Sequence, residues 1–202
     1  LGTRDSRGSS VAIAAGDLVL VIQMQDGTLN TTNNSNYGNG SGSGQGTTSM
    51  GSAGRYEFVR ADSVSGTTVN FSPALTHSYV NADRTGASAQ QRYQVIRVPQ
   101  YTAVTMNGVE GPAWNGATGG VVVADASGTL TLGSGTVEGQ GGRAVFLAGR
   151  GFRGGAGIAA NSNGNDAEWR STANANGIKG EGIAGTPQRM SNKTNDFGAS
   201  VT

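Results

Sequence analysis

The chain contains no cysteine. That excludes disulfides, thiolate nucleophiles, iron–sulfur clusters and thiolate zinc sites together. Histidine is down to one residue, His77, so any imidazole chemistry must run through that side chain. A metal site built from two or three histidines is excluded within one chain. Charge is scarce too: charged residues are 13% of the 202 positions and the formal net charge is +1. No overall field is left to attract nucleic acid or an anionic membrane. Lys179 and Lys193 are the only lysines, every other basic residue being Arg, whose planar fork suits fixed structural contacts. No apolar run approaches the roughly twenty residues of a membrane helix, so membrane insertion is not expected. Leu1 is followed by no basic, then apolar, leader, and the chain reads as a piece of something longer.

Glycine is what the chain has in excess, at 35 residues. It follows no three-residue period, which rules out a collagen helix and leaves tight turns and close backbone packing as its uses. The strongest strand signal is Leu18–Gln25. There Leu18, Leu20, Ile22 and Met24 alternate onto one face, and Val19 and Val21 share the other with Gln23 and Gln25. That second face is expected to be buried at its start and wetter at its end. Residues 26–52 form a long Asn/Gly/Ser connection, with Tyr37 and Met50 as its expected pins. Residues 56–61 and 67–72 alternate as a hairpin around a turn at 62–66, with Tyr56 and Phe58 on the buried side. Residues 75–91 read as a polar connection, and 93–98 as a further strand that resumes at 101–106.

After Pro112 the runs become very short: 121–124, 129–132, 136–138 and 144–148. Ser127-Gly-Thr-Leu-Thr-Leu-Gly is echoed by Ser134-Gly-Thr-Val-Glu-Gly. Stacked rungs of a β-helix or hairpins of a sandwich both produce such an echo. The expected fold is therefore all-β. An antiparallel barrel-like or sandwich-like unit over 1–111, holding the loop 26–52, passes into a short-strand, glycine-rich unit over 112–202 with an irregular C-terminal segment. That segment includes a weak helical pattern at 167–175.

Few residues suggest chemistry. His77 sits alone in a polar connection without a nucleophile elbow, which is the setting of a solvated side chain. Gly149-Arg-Gly-Phe-Arg-Gly154 matches G-x-G-x-x-G, but no helix-forming run follows to present amides to a pyrophosphate. Hard oxygen ligands for a structural calcium are offered by Asn161, Asn163, Asn165, Asp166 and Glu168, and more loosely by Asp26, Asn30, Asn33 and Asn36. Turn geometry accounts for the same residue types. Arg143, Arg150 and Arg153 beside Phe146, Phe152 and Trp169 form an arginine–aromatic set, for which nucleic acid contact is one reading and carbonyl capping between glycine-rich segments the favoured one. Trp114, Trp169, Tyr37 and Tyr101 are candidate platforms for a glycan or a neighbouring subunit. The carboxylates are dispersed, so no catalytic pair follows from spacing.

An ordered set of pieces resembles a segment of large glycine-rich, adhesin-like secreted or cell-surface proteins of bacteria. They are 16–26 (Gly-Asp-Leu-Val-Leu-Val-Ile-Gln-Met-Gln-Asp), 54–58, 93–101, 113–120 (Ala-Trp-Asn-Gly-Ala-Thr-Gly-Gly), 151–155 and 179–187. The resemblance implies an exported, surface or filament-forming role and carries over no catalytic residues. The leading expectation is thus a non-enzymatic extracellular module that pairs with copies of itself or with other surface subunits, without nucleic acid or cofactor. A carbohydrate-binding module is the second reading and a polysaccharide-acting enzyme on a β-helix the third.

Overall fold

A computed structural model describes residues 1–2, 4–30, 46–83, 85, 88–112, 114–135 and 137–138, and the strand residues 190–191 and 196–197. Over these residues the protein is all-β, with no helix. Its largest element is an open four-stranded antiparallel sheet in the order β5-β4-β1-β6, formed by β1 (Leu18–Gln25), β4 (Tyr56–Ser65), β5 (Thr68–Ser72) and β6 (Arg92–Arg97). The described strands form no closed barrel, since β5 and β6 are free edges of that sheet. β1 lies at the centre because its alternating aliphatic residues fit a strand covered on both faces. Its register sets Val19 against Val59 and Arg97, and Leu20 against Phe58 and Ile96.

The two faces divide differently from expectation. Val19, Val21 and Val59 make the buried centre of one face, with Ile13, Phe71, Leu75, Tyr79, Tyr93 and Val95 packed against it. Gln23 (1% exposed) and Gln25 (0%) continue that face and are as buried as the valines, so its far end is dry. The amide of Gln23 makes this tolerable by acting as an extra peptide group. Its Nε2 donates to the carbonyl oxygens of Val80 (2.8 Å) and Gln25 (2.9 Å), and its Oε1 accepts from the amide of Val80 (2.9 Å). A buried amide costs stability unless its donors and acceptors are paired, and here they are. The segment expected to be a mere polar connection is therefore a roof, pinned from β1 by Gln23 while Leu75 and Tyr79 fill the space beneath it.

Tyr56 (58% exposed) and Phe58 (50%) reverse their expected side and face outward, edge to face at 5.9 Å between ring centroids. Glu57 takes the inward position because its carboxylate accepts from the amide and hydroxyl of Thr76 and the amide of His77, at 3.0, 2.8 and 3.2 Å. The hairpin itself is tighter than expected. β4 runs on through a register shift between Ala61 and Ser63 to Ser65, and Gly66, at φ +57°, turns the chain where a side chain would strain it. The connection 26–52 also begins as structure: β2 (Thr28–Asn30) and β3 (Gly46–Ser49) pair antiparallel.

Beyond β6 the pairing changes sense. β7 (Gln100–Tyr101), β8 (Val104–Met106) and β9 (Val109–Glu110) each pair in parallel with β10 (Asp125–Ala126), β11 (Leu130–Leu132) and β12 (Val137–Glu138), in that order. Hairpins would pair antiparallel, so these strands are successive turns of chain laid one on another. We call 100–110 coil one and 125–138 coil two. Strands before the expected boundary at 111/112 thus pair with strands after it. Residues 121–124, expected as a strand, are a half-buried connection instead. The last described pair is β13 (Met190–Ser191) with β14 (Asp196–Phe197), antiparallel.

Candidate functional site

The coil stack is the most distinctive surface among the described residues, and its local sequence explains its shape. Val104, Thr105 and Met106 lie beside Leu130, Thr131 and Leu132, and Val109-Glu110 beside Val137-Glu138. Like residues therefore stack on like, as repeated turns of chain require. The offset is 25 positions from Gln100 to Asp125, 26 from Val104 to Leu130 and 28 from Val109 to Val137. Coil two is longer at its corners, where glycine stands. A Cβ on Gly128 would lie 2.5 Å from the carbonyl oxygen of Thr102, and one on Gly135 would lie 2.6 Å from the amide nitrogen of Gly108. Only a residue without a side chain lets the two backbones approach that closely. Gln100 ties the stack to the sheet: its Nε2 donates to Asp125 Oδ2 (2.9 Å), and its Oε1 accepts from Arg60 Nη1 (3.3 Å).

No family model, curated protein or solved structure matches this chain.

Trp114 is not open to a ligand. It is 1% exposed, so neither ring face is available to a sugar. Its loop is held by a second glutamine clamp: Gln94 Nε2 donates to the carbonyl of Gly119 (3.0 Å) and Gln94 Oε1 accepts from its amide (2.8 Å). Gln90 Nε2, which also donates to Gln25 Oε1 at 3.0 Å, reaches the carbonyl of Gly116 at 3.5 Å. These contacts fold the Trp114 loop onto the sheet. Asp5 reinforces it, accepting from the Thr118 hydroxyl at 2.6 Å. The Arg7 guanidinium pairs with Asp5 and holds its carboxyl well below the usual range. Tyr101, by contrast, is 43% exposed on β7. Tyr37, Trp169, Asn33 and Asn36 lie outside the described residues. So do the calcium candidates Asn161, Asn163, Asn165, Asp166 and Glu168, the arginine–aromatic set, the Gly149–Gly154 motif and the helical pattern at 167–175.

Asp26 is a neck clamp. Its carboxylate accepts from the amides of Gly27 (2.7 Å) and Ser52 (2.7 Å) and from Gln91 Nε2 (2.8 Å), gathering three separate segments. Burial pushes its carboxyl up, but the donors of Ser52, Gln91 and Gly27 outweigh it and hold it below the ordinary value. Met50, expected to pin this loop, is exposed, and Asp26 does that work. Glu57 is similar: desolvation raises it, and the Thr76 and His77 donors bring it down. Burial, with Glu57 nearby, pushes the Tyr79 phenol up to about 12. Its hydroxyl has no partner of ordinary hydrogen-bond geometry among the described residues. Asp17, paired with Arg97 Nε at 2.9 Å, is lowered mainly by that bond, which ties the start of β1 to the end of β6. His77 contributes its backbone amide and leaves its side chain at the surface. No group of three or more His, Asp or Glu side chains gathers among the described residues. Asp26 and Glu57 are thus occupied in holding backbone.

One signal for the stack was present in the sequence. The pairs Val104-Thr-Met with Leu130-Thr-Leu, and Val109-Glu-Gly with Val137-Glu-Gly, are the true repeat. The shorter echo from Ser127 to Ser134 marks successive sides of coil two rather than successive coils.

Proposed function

We propose that this chain is a non-enzymatic, extracellular structural or adhesive module, acting as a subunit or repeat of a bacterial surface fibre or matrix. In this reading the two coils form a short β-helix-like stack whose outer edge is completed by a neighbouring chain, and the antiparallel sheet is the unit that covers its first turn. The observation that carries the proposal is the parallel stacking of β7–β9 on β10–β12, with glycine at the corners. Stacked coils extend an assembly because the open turn of one chain can be covered by a turn of its neighbour. The resemblance to glycine-rich surface proteins and the absence of cysteine point the same way. Electron microscopy of the native material, with fractionation of the source cells, tests it. Fibres or a surface-bound matrix are expected. Globular particles found only in soluble fractions would end the proposal.

A carbohydrate-binding module is the second reading, favoured by the outward rings of Tyr101, Tyr56 and Phe58. Aromatic faces bind sugar rings through their C–H surfaces. Glycan-array binding that is lost in Tyr101→Ala or in Tyr56→Ala supports it, and silence on the array removes it.

A further inference from the structure

The bonds of coil two divide its backbone into two sides. Val104 donates its amide to the carbonyl of Thr129 (3.0 Å), and Gly133 donates its amide to the carbonyl of Met106 (3.0 Å). Neighbouring residues of a strand point their peptide groups to opposite edges. Thr129, Thr131 and Gly133 therefore face coil one, while Leu130 and Leu132 direct their N–H and C=O groups away from it. Among the described residues no strand pairs with that outer edge. The side chains beside it are unusually bare: Leu132 is 68% exposed and Leu130 44%.

Edges of this kind are usually blunted by Lys, Pro or a bulge. Gly128 to Gly135 contains neither Lys nor Pro, and β11 pairs with β8 without a register shift. The interface between the two coils already displays what fits such an edge, namely a strand of the form apolar-Thr-apolar. After Gly139 that pattern does not recur in the sequence, and neither does Val-Glu-Gly. A second copy of the chain carries both. Leu130-Thr131-Leu132 also reads identically in both directions. Two copies meeting about a two-fold axis would thus set each Leu130 opposite the other's Leu132 and bring four leucines together on one face.

We infer that the outer edge of coil two pairs with β11 of a second copy of this chain. The inference rests on the assembly reading above and supplies one of its contacts: a two-fold contact joins copies in pairs, and a fibre needs a second contact besides it. Sedimentation velocity over a concentration series, with site-resolved amide exchange on the same samples, tests it. The wild-type chain associates. Leu132→Lys, a change at an exposed position, folds normally but associates about tenfold or more weakly, because the ammonium loses its hydration in the contact. Val11→Lys, at an exposed site elsewhere, associates like wild type. With rising concentration the amides of Leu130 and Leu132 gain protection, while those of Thr131 and Gly133 do not change. The inference is overturned if Leu132→Lys associates as wild type does, or if Leu130 and Leu132 are as protected in dilute monomer as in concentrated samples. Fibres that persist unaltered in Leu132→Lys would sink this edge and leave the assembly reading standing. Native material without fibres would sink the reading itself.

Discussion

The antiparallel sheet and the parallel coil stack are held together by different means. In the sheet, side chains do the work: Val19, Val21 and Val59 are buried together, and each such burial is worth about 2 kcal/mol. Glutamine amides then fasten the covering loops on both faces, through Gln23 to Val80 and through Gln94 to Gly119. In the stack every residue of β11 is exposed, and cohesion comes from backbone ladders and from corners stripped to glycine. A fold can thus be closed by packing or by backbone proximity, and the two respond to different substitutions.

The largest test of the contrast is Trp114→Ala, which removes the largest fully buried side chain among the described residues. A loss of about 3–5 kcal/mol in denaturant unfolding is expected, as for other buried tryptophans. A surface ligand platform would instead lose binding with little change in stability. Gln23→Leu comes next. It keeps the volume but leaves the part-buried peptide groups of Val80 without this partner, at a cost of about 1–3 kcal/mol. Its mark is faster amide exchange at Val80 and in the Thr76–Tyr79 roof.

The stack should answer to added atoms rather than removed ones. Gly128→Ala pushes a methyl into the backbone carbonyl of Thr102 and should cost about 1–3 kcal/mol. Gly133→Ala meets the side chain of Asn107 instead, which can swing aside, so its cost should be smaller. Exchange at the amides of Val104 and Met106 rather than in β1 separates the two variants, and equal effects would break the corner explanation.

The smallest effect is at Asp26. Its folded carboxyl titrates below its unfolded value of about 3.9. Its contribution is therefore fully present above that value and is lost as pH falls through the folded value. Going from about pH 5 to about pH 3 should speed exchange at Gly27 and Ser52, after correction for the intrinsic rate. Asp26→Asn should flatten that dependence. Asp5, Asp17 and Glu57 are lowered as well, so the local readout is the informative one.

Much of the sheet could be read in advance because strand propensity and period-two alternation are local properties. β1, the hairpin of β4 with β5, and β6 all lie close to their expected positions. The errors concern sides. Alternation says that Tyr56 and Glu57 face opposite ways but not which way is in, and the donors of Thr76 and His77, nearly twenty residues on, settled that. Gln23 and Gln25 looked like the wet end of a strand because their partners, Val80 and Gln90, are more than fifty residues away. Trp114 was offered as a ligand platform for the same reason: the clamp that holds its loop comes from β6.

By itself the sequence determined the all-β character, the strand positions in the first half, and the absence of thiol and multi-histidine chemistry, since all of these follow from composition and short-range period. The tertiary structure decided which face of each strand is dry, that Asp26 and Glu57 hold backbone, and that β7–β9 stack in parallel with β10–β12. Those outcomes depend on contacts between distant residues, where a carbonyl at Thr102 or an amide at Val80 sets what its partner must be.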